Sequence, residues 1–168
     1  MNTETKPKKE SKLDIDSNYD LQLVSTLSPA LRWVLTLPIA FIAMFAVQVG
    51  FGTLVKLINS NLPMGEIVNT IMLSTVMLAK YAIFVIAATS TAPLTRNKKF
   101  IAAIAAAFIG ALLCVGGTAI SLSLSVAIDK TMLISTFADS ILGLLLGIWE
   151  VRRVTSKPLT EENKASQL

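Results

Sequence analysis

The stretch I-V-N-T-I-M-L-S-T-V-M-L-A-K-Y-A-I-F-V-I-A-A-T-S-T-A-P-L, residues 67–94, decides the fold. It is apolar and longer than the roughly 20 residues that a helix needs to cross a bilayer. Lys80 lies near its centre, where a lysine costs roughly 2.5–3.5 kcal/mol on insertion scales. The helix is therefore expected to offer Lys80 water or a polar partner.

The composition of the whole chain also indicates a membrane protein. Of the 168 residues, 53% are hydrophobic, and the mean hydropathy is +0.64, which is too apolar for a soluble domain. The net charge of +4 does not indicate a nucleic-acid partner, because the basic residues form short flanks and no continuous face. The sequence has no histidine and a single cysteine, Cys114. It therefore implies no disulfide within the chain, no metal, no cofactor and no enzymatic activity.

Four apolar runs predict an all-α protein, a four-helix transmembrane bundle. The predicted spans are residues 33–55, 67–92, 100–122 and 131–149.

The segments outside the spans have different patterns. Residues 1–20 are polar and charged, which predicts a disordered tail, and residues 150–168 form a second tail. Apolar residues recur every three or four positions over residues 21–32, which predicts an amphipathic interfacial helix leading into the first span. Ser28 and Pro29 also fit the N-cap and first residue of a helix.

The distribution of Lys and Arg predicts the orientation. Twelve of these residues lie in residues 1–32, in the second loop and in residues 150–168, whereas the other two loops contain only Lys56 and Lys130. Cytoplasmic flanks carry the excess of basic residues, so both termini are expected in the cytoplasm. No organelle transit peptide is recognisable, which favours the inner membrane of a bacterium.

Lys80, Asp139 and Gln48 are predicted to form a polar cluster inside the membrane. At 1.5 Å per residue, they lie about 18, 15 and 22 Å from the cytoplasmic boundary. Three interpretations remain open for Lys80 and Asp139. They relay a proton or ion or hold a charged ligand, they pair within the chain and fix which helix faces which, or each contacts a partner subunit.

Small residues at four-residue spacing predict close helix packing. Gly143 and Gly147 form a GxxxG motif on the face of the fourth span that also carries Asp139, which favours an inward-facing stripe. The third span has a corresponding flat face. Its small residues include Ala102, Ala106 and Gly110.

These observations favour a small multi-pass membrane protein without catalytic machinery. We expect an accessory or assembly subunit, or a homo-oligomer, whose partners besides the lipid bilayer are larger membrane-complex subunits or further copies of the chain. The alternative is a small transporter that conducts ions or solutes by means of the Lys80–Asp139 pair.

Overall fold

The computed structural model describes residues 14–62, 65–123 and 130–156, and this part of the chain is helical with one isolated bridge between Ile15 and Leu21. The helices are α1 (Gln22–Ser25), α2 (Pro29–Asn61), α3 (Glu66–Thr91), α4 (Lys99–Ser123) and α5 (Lys130–Thr155), with a 3₁₀ turn at Arg96–Lys98. All but α1 and the 3₁₀ turn are long and apolar enough to cross a membrane. The predicted four-helix transmembrane fold is confirmed.

Helix α3 is the centre of the bundle. It packs against α2, α4 and α5, and α5 also packs against α4. The contacts of α2 are chiefly with α3. The bundle therefore consists of three mutually packed helices with α2 laid against α3.

Large apolar side chains cover the outside of the bundle, and several polar side chains are buried inside it beside an apolar core. Phe45 and Phe108 are among many large apolar side chains that are exposed on the outside of the helices. Thr36, Thr89 and Ser140 are buried, and each hydroxyl donates to a carbonyl one turn earlier in its own helix. This arrangement suits an integral membrane protein, because lipid cannot satisfy polar groups.

The small residues of α4 lie at or beside its contacts with the other helices. Ala106 is buried, and a Cβ at Gly110 would lie 2.6 Å from Leu144 Cδ2 on α5. Ala102 is only half-buried, whereas its neighbour Ala103 is completely buried. Near the start of α4, the residue that packs against the other helices is therefore Ala103 and not the predicted Ala102.

The glycines of α5 let it approach α3 closely. A Cβ at Gly147 would lie 2.7 Å from Val85 Cβ, and one at Gly143 would overlap the carbonyl of Leu78. The Leu78 carbonyl is backbone and cannot rotate away. We therefore expect Gly143→Ala to lower the free energy of unfolding by about 1–3 kcal/mol, the usual effect of overpacking, in an SDS titration of the detergent-solubilised protein.

Gly116→Ala is the matched control, because a Cβ at Gly116 on α4 would meet nothing within 4 Å. It should be neutral or slightly stabilising, since alanine favours a helix over glycine by up to about 1 kcal/mol. Equal losses from both substitutions would contradict a close contact between α3 and α5.

The structure differs from the expectation of a disordered tail at residues 14–20, which form a hydrogen-bonded turn. One carboxylate oxygen of Asp16 accepts from the backbone N–H groups of Asn18 (2.9 Å) and Asp20 (2.8 Å). The backbone N–H of Asp16 donates to the Asp20 carbonyl. We call residues 14–27 the N-terminal segment; the rest of the predicted tail, residues 1–13, lies outside the described residues.

Two further boundaries differ from the prediction. Residues 21–32 do not form one helix, because α1 is a single turn and α2 begins at Pro29 with Ser28 as its N-cap. The predicted second tail is helical up to Thr155, and its residues 157–168 lie outside the described part of the chain.

Candidate functional site

A cluster of charged side chains closes one end of the bundle. Asp20 of the N-terminal segment pairs with Arg32 of α2 and with Lys99 of α4, whose Nζ lies 2.6 Å from Asp20 Oδ1. The Lys99 side chain is fully buried, and those of Arg32 and Asp20 are 9% and 15% exposed. We call these three residues the terminal ion cluster.

The terminal ion cluster also caps α3. The last carbonyls of any helix lack partners within it, and they carry partial negative charge. Here the carbonyls of residues 89–92 all find donors from other parts of the chain. The bonds are Lys99 Nζ to Thr89 (3.0 Å) and Ala92 (2.7 Å), the Leu21 N–H to Ser90 (3.0 Å) and Arg32 Nε to Thr91 (3.1 Å). The cluster contains two positive side chains and one negative side chain, so its net positive charge faces these carbonyls.

Local sequence explains why α3 ends at this place. Pro93 has no N–H and disfavours a helical conformation at Ala92, whose ψ is 129°. The chain then turns within a few residues into α4. Arg96, in this connection, donates to the carbonyl of Val154 (2.7 Å) near the end of α5 and to that of Ser17. The connection thus binds both the N-terminal segment and the end of α5, so these lie at the same end of the bundle.

Tyr19 fixes the N-terminal segment further. Its side chain is 3% exposed, and its backbone is left-handed with φ 64°. Burial raises the pKa of the Tyr19 phenol from 10.0 to about 12, and the nearby Glu150 carboxylate adds to the shift. Because the raised pKa favours the neutral phenol in the folded chain, its contribution to stability is complete below about pH 10 and is lost as the pH rises towards 12.

We expect alkaline titration to detect this burial. In a Tyr81→Phe variant, Tyr19 is the remaining tyrosine of the sequence, so the ultraviolet absorbance of phenolate reports Tyr19 alone. The midpoint should lie near pH 12 in the folded protein and near 10 in denaturant. A midpoint near 10 in the folded protein would contradict a buried Tyr19.

A second polar site lies halfway along the spans, in a groove between α2 and α3. The groove has a volume of about 430 Å³ and is open on one side. It is lined by Phe41, Met44, Phe45 and Gln48 of α2 and by Met77 and Lys80 of α3. Two residues of the predicted cluster, Lys80 and Gln48, are therefore brought together. We call this site the α2–α3 groove.

Neither polar residue of the groove is fully satisfied. Within the described residues no carboxylate lies within ion-pair distance of Lys80, whose ammonium instead lies 5.0 Å from the centroid of the Tyr81 ring. The amide oxygen of Gln48 is buried and has no hydrogen-bond donor.

Asp139 lies elsewhere, and the expected Lys80–Asp139 ion pair does not form. Asp139 accepts a hydrogen bond from Ser135 (3.2 Å), whose oxygen lies 3.4 Å from that of Ser74 on α3. The side of α3 that meets α5 contains Ser74 and Leu78. Lys80 is two residues beyond Leu78, which turns it by about 200° around α3 and towards α2.

The sequence did not reveal the terminal ion cluster. Asp20 resembled the other acids of a polar tail, and Lys99 resembled a basic flank. Pro93 is the one local signal, because it predicts a helix end whose carbonyls need donors. The identity of those donors depends on which segments meet in space.

The two polar sites differ in how far their charged groups are already engaged. The side chains of the terminal ion cluster are bound within the chain, whereas Lys80 of the α2–α3 groove has no ion-pair partner among the described residues. Among residues 14–62, 65–123 and 130–156, no three His, Cys, Asp or Glu side chains are grouped so that they could hold a metal ion. Comparisons of the chain with protein-family models, with curated proteins and with solved structures found no match.

Proposed function

We propose that this chain is an accessory or assembly subunit of a membrane complex and has no catalytic role of its own. The observation that supports the proposal is Lys80, which lies at mid-depth in an open groove without a carboxylate partner among the described residues. A lysine at this depth is costly unless it is paired. A polar group from another polypeptide would remove that cost, so binding in the groove would be favourable.

The transporter alternative depended on Lys80 and Asp139 acting as a pair, and so did the expectation that their pairing fixes which helix faces which. With Lys80 facing α2 and Asp139 facing α3, both ideas lose their main support. A groove lined mostly by Phe and Met side chains is also a poor path for a hydrated ion, which needs many polar ligands.

The test is purification of the full chain from its native membrane in mild detergent, followed by native mass spectrometry. We expect one or more different membrane polypeptides to remain bound, at a fixed ratio to this chain. A Lys80→Met variant purified in the same way should lose them. Lys56→Met should keep them, because Lys56 is exposed near the end of α2 that lies away from the terminal ion cluster. Isolation of the chain alone from both native and lightly cross-linked membranes would contradict the proposal.

We also propose that the end of the bundle with the terminal ion cluster faces the cytoplasm of a bacterium, in its inner membrane. Basic residues concentrate at this end, as cytoplasmic flanks do. Single cysteines at the exposed positions 17 and 156, made by Ser17→Cys and Ser156→Cys with Cys114→Ala, test the orientation. Both should react with a membrane-impermeant reagent only after the cells are opened; reaction in intact cells would reverse the orientation.

A further inference from the structure

We propose that the α2–α3 groove binds a transmembrane helix of another protein that carries a carboxylate, Asp or Glu, near its middle. The proposal rests on the proposed function and names the chemistry of the partner. It follows from the apolar lining of the groove, from the positive charge of Lys80 within that lining and from the position of the carboxylates in the described spans.

The walls suit a helix in lipid. Four of the six lining residues are Phe or Met, and methionine adapts its shape to different apolar neighbours. A volume of about 430 Å³ accommodates side chains from one face of a helix but not a whole helix. The partner would therefore lie along the opening and insert a few side chains between α2 and α3.

The polar groups at mid-depth select the inserted side chain. Lys80 supplies a positive charge, so a carboxylate is the complementary group. Gln48 also lines the groove, and its amide oxygen is buried without a donor, so rotation of this side chain would let it accept from a hydroxyl or amide N–H near the carboxylate. An apolar helix with neither group would bury Lys80 further and leave both residues unsatisfied.

Within the described residues, a second copy of this chain offers one carboxylate at the required depth, and that carboxylate is already engaged in its own subunit. Among the described parts of the spans, Asp139 is the acidic residue near the middle of a helix. Its side chain accepts from Ser135, on the side of α5 that meets α3 in the same subunit. Asp139 is half-buried, so pairing it with Lys80 of another copy would have to compete with these contacts beside α3.

Synthetic helices provide a direct test. The full-length protein, with a donor fluorophore on a carboxy-terminal tag, is reconstituted in zwitterionic vesicles. Leucine-rich transmembrane peptides with a single central Glu, Gln or Lys, each with an acceptor fluorophore, are then titrated and association is followed by energy transfer. We expect the Glu peptide to bind about tenfold more tightly than the Gln peptide, the ratio that one intramembrane polar contact of about 1.4 kcal/mol produces.

Variants assign the effect to the groove. Lys80→Met should abolish the preference for the Glu peptide, and Lys80→Glu should transfer it to the Lys peptide. Lys56→Met, which changes a lysine outside the groove, should keep the wild-type preference.

Three outcomes would overturn the inference. The first two are equal binding of the Glu and Gln peptides and a preference that persists in Lys80→Met. The third, measured by mixing donor-labelled with acceptor-labelled protein, is energy transfer between copies that the Glu peptide fails to displace. The last would identify the occupant as a second copy. None of them removes the proposed function, which stands if native purification still recovers a partner that binds elsewhere.

Discussion

Asp20→Asn should destabilise the protein by about 3–5 kcal/mol, because it removes one partner of a buried ion pair and leaves the others uncompensated. Asp20 supplies the negative side chain that Arg32 and Lys99 both bind. Without it, two positive charges lie close together out of water, with helix carbonyls as their remaining partners. The N-terminal segment, which Asp20 ties to the bundle, should detach first.

Two measurements separate the local and global effects. Unfolding in SDS gives the free-energy change, and hydrogen exchange reports the N-terminal segment, where the Leu21 N–H is bonded to the Ser90 carbonyl in the folded protein. Both should change in Asp20→Asn. Glu150→Gln is the control, because Glu150 pairs with Arg153 at side-chain exposures of 37% and 53%. An exposed pair of this kind contributes about 0–1 kcal/mol.

A double variant tests whether the charges are coupled. Lys99→Met alone should also be destabilising, since it removes two caps from α3 and leaves Asp20 with one partner. If the ion pair exists, Asp20→Asn and Lys99→Met together should cost less than the sum of the two single changes. Strict additivity, or a loss below 1 kcal/mol in Asp20→Asn, would contradict a buried cluster.

Lys80→Met should have the opposite sign and stabilise the isolated protein. Lys80 has no carboxylate partner in the described residues, so the substitution breaks no ion pair. It removes a charge whose cost at mid-membrane is roughly 2.5–3.5 kcal/mol on insertion scales, reduced here by the contact with the Tyr81 ring. We expect a gain of about 1–2 kcal/mol in the free energy of unfolding in detergent, together with loss of the native partner.

Asp139→Asn provides the comparison, because pairing of Lys80 with Asp139 was one of the three interpretations that the sequence left open. It should change stability by about 1 kcal/mol or less, the value of one hydrogen bond to Ser135. Its effect and that of Lys80→Met should add within about 0.5 kcal/mol. A coupling above about 2 kcal/mol, or rescue of one variant by exchange of the two charges, would show that the residues do meet.

Buried charge has two different roles in this protein. In the terminal ion cluster the charges are matched within the chain and hold the N-terminal segment against α3. In the α2–α3 groove the charge is unmatched, which lowers the stability of the isolated chain and favours association. Stability and binding should therefore change in opposite directions when Lys80 is replaced.

The number of membrane-spanning helices and their approximate bounds could be predicted from the sequence. A span is recognised from about 20 consecutive apolar residues, a property of a local run that does not depend on neighbours. The observed helices extend beyond the predicted spans by a few residues, as at Pro29 and Thr155, because helices continue past the apolar part. That Lys80 and Gln48 lie at a similar level of the bundle was also predictable, since the rise per residue is fixed and both line the α2–α3 groove.

What only the tertiary structure decided is which side of each helix faces which neighbour. The sequence predicts similar membrane depths for Lys80 and Asp139. The contact of Leu78 with Gly143 nevertheless turns Lys80 away from α5. Asp20, Arg32 and Lys99 are far apart along the chain and meet because α2, α3 and α4 share one end of the bundle. Hydropathy fixes how far along its axis a residue lies in the membrane, whereas its direction around the axis depends on close packing between side chains from different helices.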